Sequence, residues 1–299
     1  MGITYIFGPS GSGKSHTIHT FILEEARKRP SENFYILVPD QYTMQTQKEL
    51  VELSKDKGIL NVDILSFGRL SYRVMEETGG GDIPVLDDTG KNLILRLVAG
   101  QKEEELTALK GHISQMGYIH EVKSSISEFM QYRIDQNTLQ DMIAFAGKRG
   151  ALTGKLKDLS VLYAGFTDYI RDHYITREES MEVLARQIPK SKKCKGATFV
   201  FDGFTGFTPV QHDVIEQLMM TAGELYFNFT IDEKTDPYQM EGEQKLFAMT
   251  QKAVHVLSEL AGQAGVEVHD AIWVKQEEKD RFASAKALRH LEQNLFRYP

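Results

Sequence analysis

The chain has 299 residues, 41% hydrophobic and 26% charged, with a formal net charge of −7, a composition expected of a soluble globular protein with one large or two smaller domains. No run of 18 or more apolar residues occurs, and Met1-Gly2-Ile3-Thr4 lacks the basic and apolar regions of a signal peptide, so a cytoplasmic protein without membrane spans is expected. With Cys194 as the one cysteine, this chain alone builds no internal disulfide, four-cysteine zinc site or iron–sulfur cluster, and the acidic balance excludes a generally basic surface but not a local basic groove.

Ile3 to Phe7 is a short apolar run that reads as a strand ending in a glycine-rich loop. Ile18, Phe21, Ile22 and Ala26 then recur at helical spacing until Pro30. Phe34 to Val38 predicts a second strand closed by Pro39-Asp40, with a helix over Thr43 to Leu53, and Val62 to Leu65 a third strand leading into Ser66-Phe67-Gly68-Arg69. From about Leu86 the pattern changes to a 3.6-residue period, in Leu93, Ile94, Leu97 and Val98, in Ile119, Val122, Ile126 and Phe129, and in Leu159, Leu162, Phe166 and Tyr169. Thr176 followed by Glu179 is a capping-box signature.

The run Lys190, Lys192, Lys193 and Lys195 reads as a solvated loop before a strand. Strands return at Thr198 to Phe201 and Leu225 to Phe229, separated by a helix that Pro209 starts and that buries Val214, Ile215 and Leu218. A weaker strand is expected at Val266 to Val268 or at Ile272 to Val274, and a final helix to about Phe296. The expectation is an α/β core over 1–85 and 190–299, interrupted by an all-helical insertion over 86–189.

Gly8-Pro9-Ser10-Gly11-Ser12-Gly13-Lys14-Ser15 matches G-x-x-x-x-G-K-[ST], placed after a buried strand and before a helix. That is the pattern of a P-loop. Glycines let backbone N–H groups curl around a phosphate, and the helix N-terminus adds favourable potential for the anion. Lys14, expected as a solvent-reaching charge, would meet the β/γ-phosphates of ATP, and the Ser15 hydroxyl would ligate Mg²⁺. Asp202, at the end of Thr198-Phe199-Val200-Phe201, is placed as the second Mg²⁺ residue, although an Asp before Gly is also ordinary turn chemistry. Gly203 stands where an ATPase usually carries its catalytic Glu.

Phe7 through Ser15, Val38-Pro39-Asp40-Gln41-Tyr42-Thr43, Leu65-Ser66-Phe67-Gly68-Arg69-Leu70, Phe201-Asp202-Gly203-Phe204-Thr205-Gly206-Phe207-Thr208-Pro209 and the terminal Leu291-Glu292-Gln293-Asn294-Leu295-Phe296 together resemble the AddB subunit of the AddAB helicase-nuclease, or its relative RexB. The resemblance runs through essentially the whole chain. It implies a RecA-like P-loop sheet of the superfamily 1 helicase type (domain 1A) with an inserted helical subdomain (1B), and an N-terminal region of a longer subunit. The family's later second motor-like domain and nuclease domain with an iron–sulfur cluster are not in these 299 residues. The implied partners are an AddA-like helicase-nuclease subunit and single-stranded DNA from processed double-strand ends, in recombinational repair.

By the same resemblance, Gln41 and Thr43 after the second strand, and Phe67, Arg69 and Tyr72 after the third, line a single-strand groove, with Phe204 and Phe207 as further stacking surfaces. Aromatic faces stack on bases, while Arg meets phosphates or base edges. For each aromatic, core packing is the competing reading. The leading expectation is an ATP-binding, DNA-inspecting region whose motor is impaired, a weak or inactive ATPase. Two alternatives stay open: an active superfamily 1 helicase motor, and a P-loop nucleotide kinase, since Gly8-Pro9-Ser10-Gly11 also resembles the loop of guanylate kinases.

Overall fold

The computed structural model describes residues 2–54, 58, 61–79, 84–112, 115–147, 149–171, 173–275, 281–282 and 284–295. In chain order it runs β1 (Gly2–Gly8), α1 (Lys14–Lys28), β2 (Phe34–Leu37), a single helical turn at Asp40–Tyr42, α2 (Thr43–Leu53), β3 (Val62–Leu65) and α3 (Phe67–Thr78). Five helices follow: α4 (Asp88–Gln101), α5 (Met116–Gln131), α6 (Gln136–Ala146), α7 (Gly150–Ile170) and α8 (Arg177–Gln187). The chain then returns to alternation with β4 (Thr198–Phe201), α9 (Pro209–Thr221), β5 (Glu224–Thr230), α10 (Ala248–Ala264), β6 (Glu267–Val268), β7 (Ile272–Trp273) and α11 (Lys286–Asn294). Both candidate late strands form, each two residues long, pairing in succession along β1. Phe296, the expected end of the last helix, lies outside the described residues.

Every strand pair is parallel, and the order is β3-β2-β4-β5-β1-β6, with β7 also on β1. The molecule is α/β. A parallel sheet covered on both faces requires near-continuous apolar strands, and β1, β2 and β4 are buried at every position. One face is mainly aliphatic: Ile6, Ile36 and Val200 pack with Ile18 and Ile22 of α1 and Leu50 of α2. The other is aromatic. Phe201 stacks on Phe227 with centroids 4.5 Å apart, and Tyr35 on Phe199 at 4.9 Å.

The chain divides into two compact units. The first, holding the sheet, comprises Met1–Thr78, Ala185–Phe207 and His212–Pro299; the second comprises Gly79–Leu184 and Thr208–Gln211. Within the first, the Glu77 carboxylate accepts hydrogen bonds from the Ser191 hydroxyl and the Lys192 and Lys193 amides, which shapes the turn before β4. The four lysines of that turn are exposed, as a solvated charge run should be. Cys194 is buried beside them, and burial pushes its thiol pKa up.

The second unit packs Leu95, Val98, Ile119, Val122, Leu162 and Phe166 into one core. Two buried polar devices hold it. Asp158 of α7 accepts from the Thr107 and Leu109 amides and the Thr107 hydroxyl at 2.7–3.1 Å. Lys91 of α4 meets Glu178 of α8 at 2.7 Å and Ser127 of α5 at 3.1 Å. The capping box is formed reciprocally: the Glu179 amide donates to Thr176 Oγ1 and the Thr176 amide to Glu179 Oε2. Among the described residues, no helix is long and apolar enough to cross a membrane.

Candidate functional site

Between the end of β1 and the start of α1 the chain turns in five residues, and two of its glycines need conformations that other residues avoid. Gly11 and Gly13 have φ of +78° and +91°, in the left-handed region where a Cβ crowds the backbone. A Cβ on Gly8 would stand 2.2 Å from the Val274 carbonyl oxygen, and one on Gly11 2.6 Å from the Phe282 ring. Val274 and Phe282 therefore lie directly on this loop. Gly13 caps α1 without a side-chain acceptor, which leaves first-turn N–H groups for an anion.

Lys14 is not the solvent-reaching charge expected of it. It is 8% exposed, and its Nζ donates to the Pro9 carbonyl at 2.9 Å, folding the side chain back over its own loop. Burial lowers its pKa to about 8, with the Asp202 and Glu292 carboxylates opposing that shift. Next to it, the Ser15 hydroxyl donates to Asp202 Oδ1 at 3.1 Å. Asp202 is buried, and Oδ1 also accepts from Asn228 Nδ2 at 2.6 Å while Oδ2 lies 3.1 Å from His19 Nε2. Burial alone would raise this carboxyl; contacts from His19, Ser15 and Asn228 outweigh it and hold the pKa below the usual range.

Lys14, Ser15, Asp202 and Asn228 line a pocket of about 540 Å³ at the C-terminal edge of the sheet. Its far wall is Thr230 at the end of β5, Phe247, Met249 and Thr250 at the start of α10, and Arg281. Open α/β sheets take their ligands at that edge, and the volume falls within the range of small-molecule sites, ~300–1,000 Å³.

The second set of candidates lies on the neighbouring loops. Gln41, Arg69 and Tyr72 are exposed, Tyr72 at 70%. Arg69 and Tyr72 line a pocket of about 460 Å³ beside the edge strand β3, with Gln47 and Arg73. Thr43 and Phe67 do not present their side chains. Thr43 is buried and its Oγ1 donates to the Asp40 carbonyl at 3.0 Å, closing the turn before α2. Phe67 is 6% exposed and packs against Phe204 and Phe207, with centroids 5.7 and 6.4 Å away. Phe204 and Phe207 are half-buried, 5.1 Å from each other. Core packing thus takes Phe67 fully and the other two in part. The loops after β2 and β4 also meet: Gly203, at φ +79°, has its Cβ direction 3.6 Å from Pro39 and 3.8 Å from Tyr42.

The family described as ADDB, N-terminal, matches residues 5–292. The chain belongs to the AddB N-terminal family. It is 38% identical to an ATP-dependent helicase/deoxyribonuclease subunit of Lachnoclostridium phytofermentans, over all of this chain and 26% of that protein. Identity to the subunit of the same name in Desulforamulus reducens is 33% with the same coverages, and to that in Bacillus pumilus 32% over 91% of this chain and 24% of the relative. The chain spans about a quarter of the length of the curated relatives it matches.

Three residues that the structure brings beside the candidates were missed from sequence. His19 falls one helical turn after Ser15, so the i, i+4 spacing places it on the same face of α1. Asn228 is the one amide side chain inside the run Leu225 to Phe229, and such an interruption of a buried strand is a readable signal. Tyr42, 46% exposed beside Gly203, adds an aromatic face to the loop after β2.

Proposed function

We propose that this AddB-family chain is a superfamily 1 helicase-like P-loop region that binds ATP with Mg²⁺ and touches single-stranded DNA, its helical unit being the inserted subdomain. It works within a longer ATP-dependent helicase/deoxyribonuclease subunit, beside an AddA-like partner, on DNA ends in double-strand-break repair. The observation that carries the reading is the convergence of Lys14, Ser15 and Asp202 at one end of the sheet, with Ser15 and Asp202 in direct contact.

The donor set fits both groups. Glycine-made turns and uncapped N–H groups of α1 suit a phosphate chain, and hydroxyl and carboxylate oxygens suit Mg²⁺, which takes oxygen donors and keeps several waters. The buried Asn228 Oδ1 has no partner among the described residues, so an oxygen acceptor stands ready there. When bound, Mg²⁺ would neutralise phosphate charge. Lys14 would exchange the Pro9 carbonyl for a phosphate oxygen, and Asp202, hydrogen-bonded by Ser15 and Asn228, would accept rather than abstract protons.

No side chain stands at Gly203 to polarise a water. Its φ of +79° is one that a Glu there would adopt only under strain. This supports an impaired motor over an active one. The exposed Gln41, Tyr42, Arg69 and Tyr72 support contact with a single strand, through stacking and phosphate pairing. The test is turnover: the chain should bind ATP yet hydrolyse it far below a typical enzyme rate of ~10 s⁻¹, with or without single-stranded DNA. DNA-stimulated turnover near that rate would put the active motor first.

A further inference from the structure

Asn228 interrupts the apolar strand β5, and burying an amide there costs free energy unless its groups are engaged. It is 5% exposed; its Nδ2 donates to Asp202 Oδ1 at 2.6 Å and lies 3.4 Å from Ser15 Oγ, while Oδ1 is buried with no partner among the described residues. On the other side of the carboxylate, His19 is 2% exposed with Nε2 3.1 Å from Asp202 Oδ2, close but off the line of a well-formed hydrogen bond. Each oxygen of Asp202 is therefore contacted by a buried polar side chain, one from β5 and one from α1. An aspartate that only closed the turn into Gly203 would need neither.

We propose that Asn228 and His19 are positioning residues for the divalent cation that accompanies the nucleotide. They fix the Asp202 carboxylate toward Ser15, and Asn228 offers its spare amide oxygen to the cation's water shell. The physical demand is geometric. Mg²⁺ requires near-octahedral coordination and holds its waters tightly, so the groups that orient its ligands decide affinity almost as much as the ligands do. The inference rests on the nucleotide reading above and gives these two side chains a defined role toward its cation.

The experiment titrates Mg²⁺ into the 299-residue chain holding a fluorescent ADP analogue, and measures the analogue's affinity with no metal present. Asn228→Ala should raise the Mg²⁺ needed for half-saturation by roughly 10- to 100-fold, the usual cost of losing an outer-sphere partner, and leave metal-free affinity within about twofold. His19→Leu, on a different element, should give the same selective loss. It also decides the matter if Asn228→Ala, in the middle of a buried strand, fails to show a cooperative thermal transition. Equal weakening with and without Mg²⁺ would mean that these residues merely support the loop, and an unchanged Mg²⁺ response would remove them from the cation site; either overturns the proposal. A wild-type chain that takes up no nucleotide would instead overturn the nucleotide reading, and this inference with it.

Discussion

Between the Lys14 pKa of about 8 and its ordinary value of 10.5, the side chain is largely neutral, because burial disfavours the ammonium more than Asp202 and Glu292 support it. A phosphate chain beside it would favour the charged form and lift the pKa again. Nucleotide binding above pH 8 must then take up a proton, and affinity should fall by up to about tenfold per pH unit as the free lysine deprotonates. Calorimetry at pH 8.5 in buffers of differing ionisation enthalpy measures that uptake directly. It should be present in the wild type; a wild type with no proton uptake contradicts the account of Lys14.

The helices of the second unit rest on a few buried polar contacts, of which Asp158 is the most connected: α7 uses this one carboxylate to satisfy the amides of Thr107 and Leu109. Asp158→Ala leaves those donors without an acceptor, at roughly 1–3 kcal/mol for a buried group. Chemical denaturation should show a loss of that order, with Asp158→Asn losing less because one oxygen remains. A loss under about 0.5 kcal/mol, typical of neutral surface changes, would mean that water replaces the carboxylate there. Element by element, the sequence is legible where burial is continuous or periodic. β3 and β4 stand where their apolar runs placed them, and the Thr176–Glu179 box closes as its spacing implied. What was not legible depends on contacts distant in the chain. Nothing near Asp202 in sequence announces Asn228, 26 residues later, and nothing near Phe67 says that Phe204 and Phe207 will bury it. Lys14 likewise matched its motif, but its inward fold depends on how the loop packs.

At the scale of the whole molecule, the sheet sets two surfaces along one edge: the glycine-rich loop after β1 and the exposed side chains after β2 and β3. On the reading proposed above they bind different ligands and should respond separately. Tyr72→Ala should cost ~1–3 kcal/mol of single-strand binding. Arg69→Ala should also reduce the slope of log affinity against log salt by about one if it meets a phosphate. Neither should alter ATP affinity, and wild-type DNA affinity in both variants would take these loops out of the DNA surface. The central claim is that the β1–α1 loop is a nucleotide site, because the cation, DNA and repair readings are built outward from it. The most direct measurement is calorimetric titration of ATP with Mg²⁺ into the wild-type chain and into Lys14→Met, with thermal denaturation confirming that both are folded. The account predicts saturable one-site binding in the wild type and its loss in Lys14→Met; equal affinity in the two proteins, or no binding in either, would contradict it.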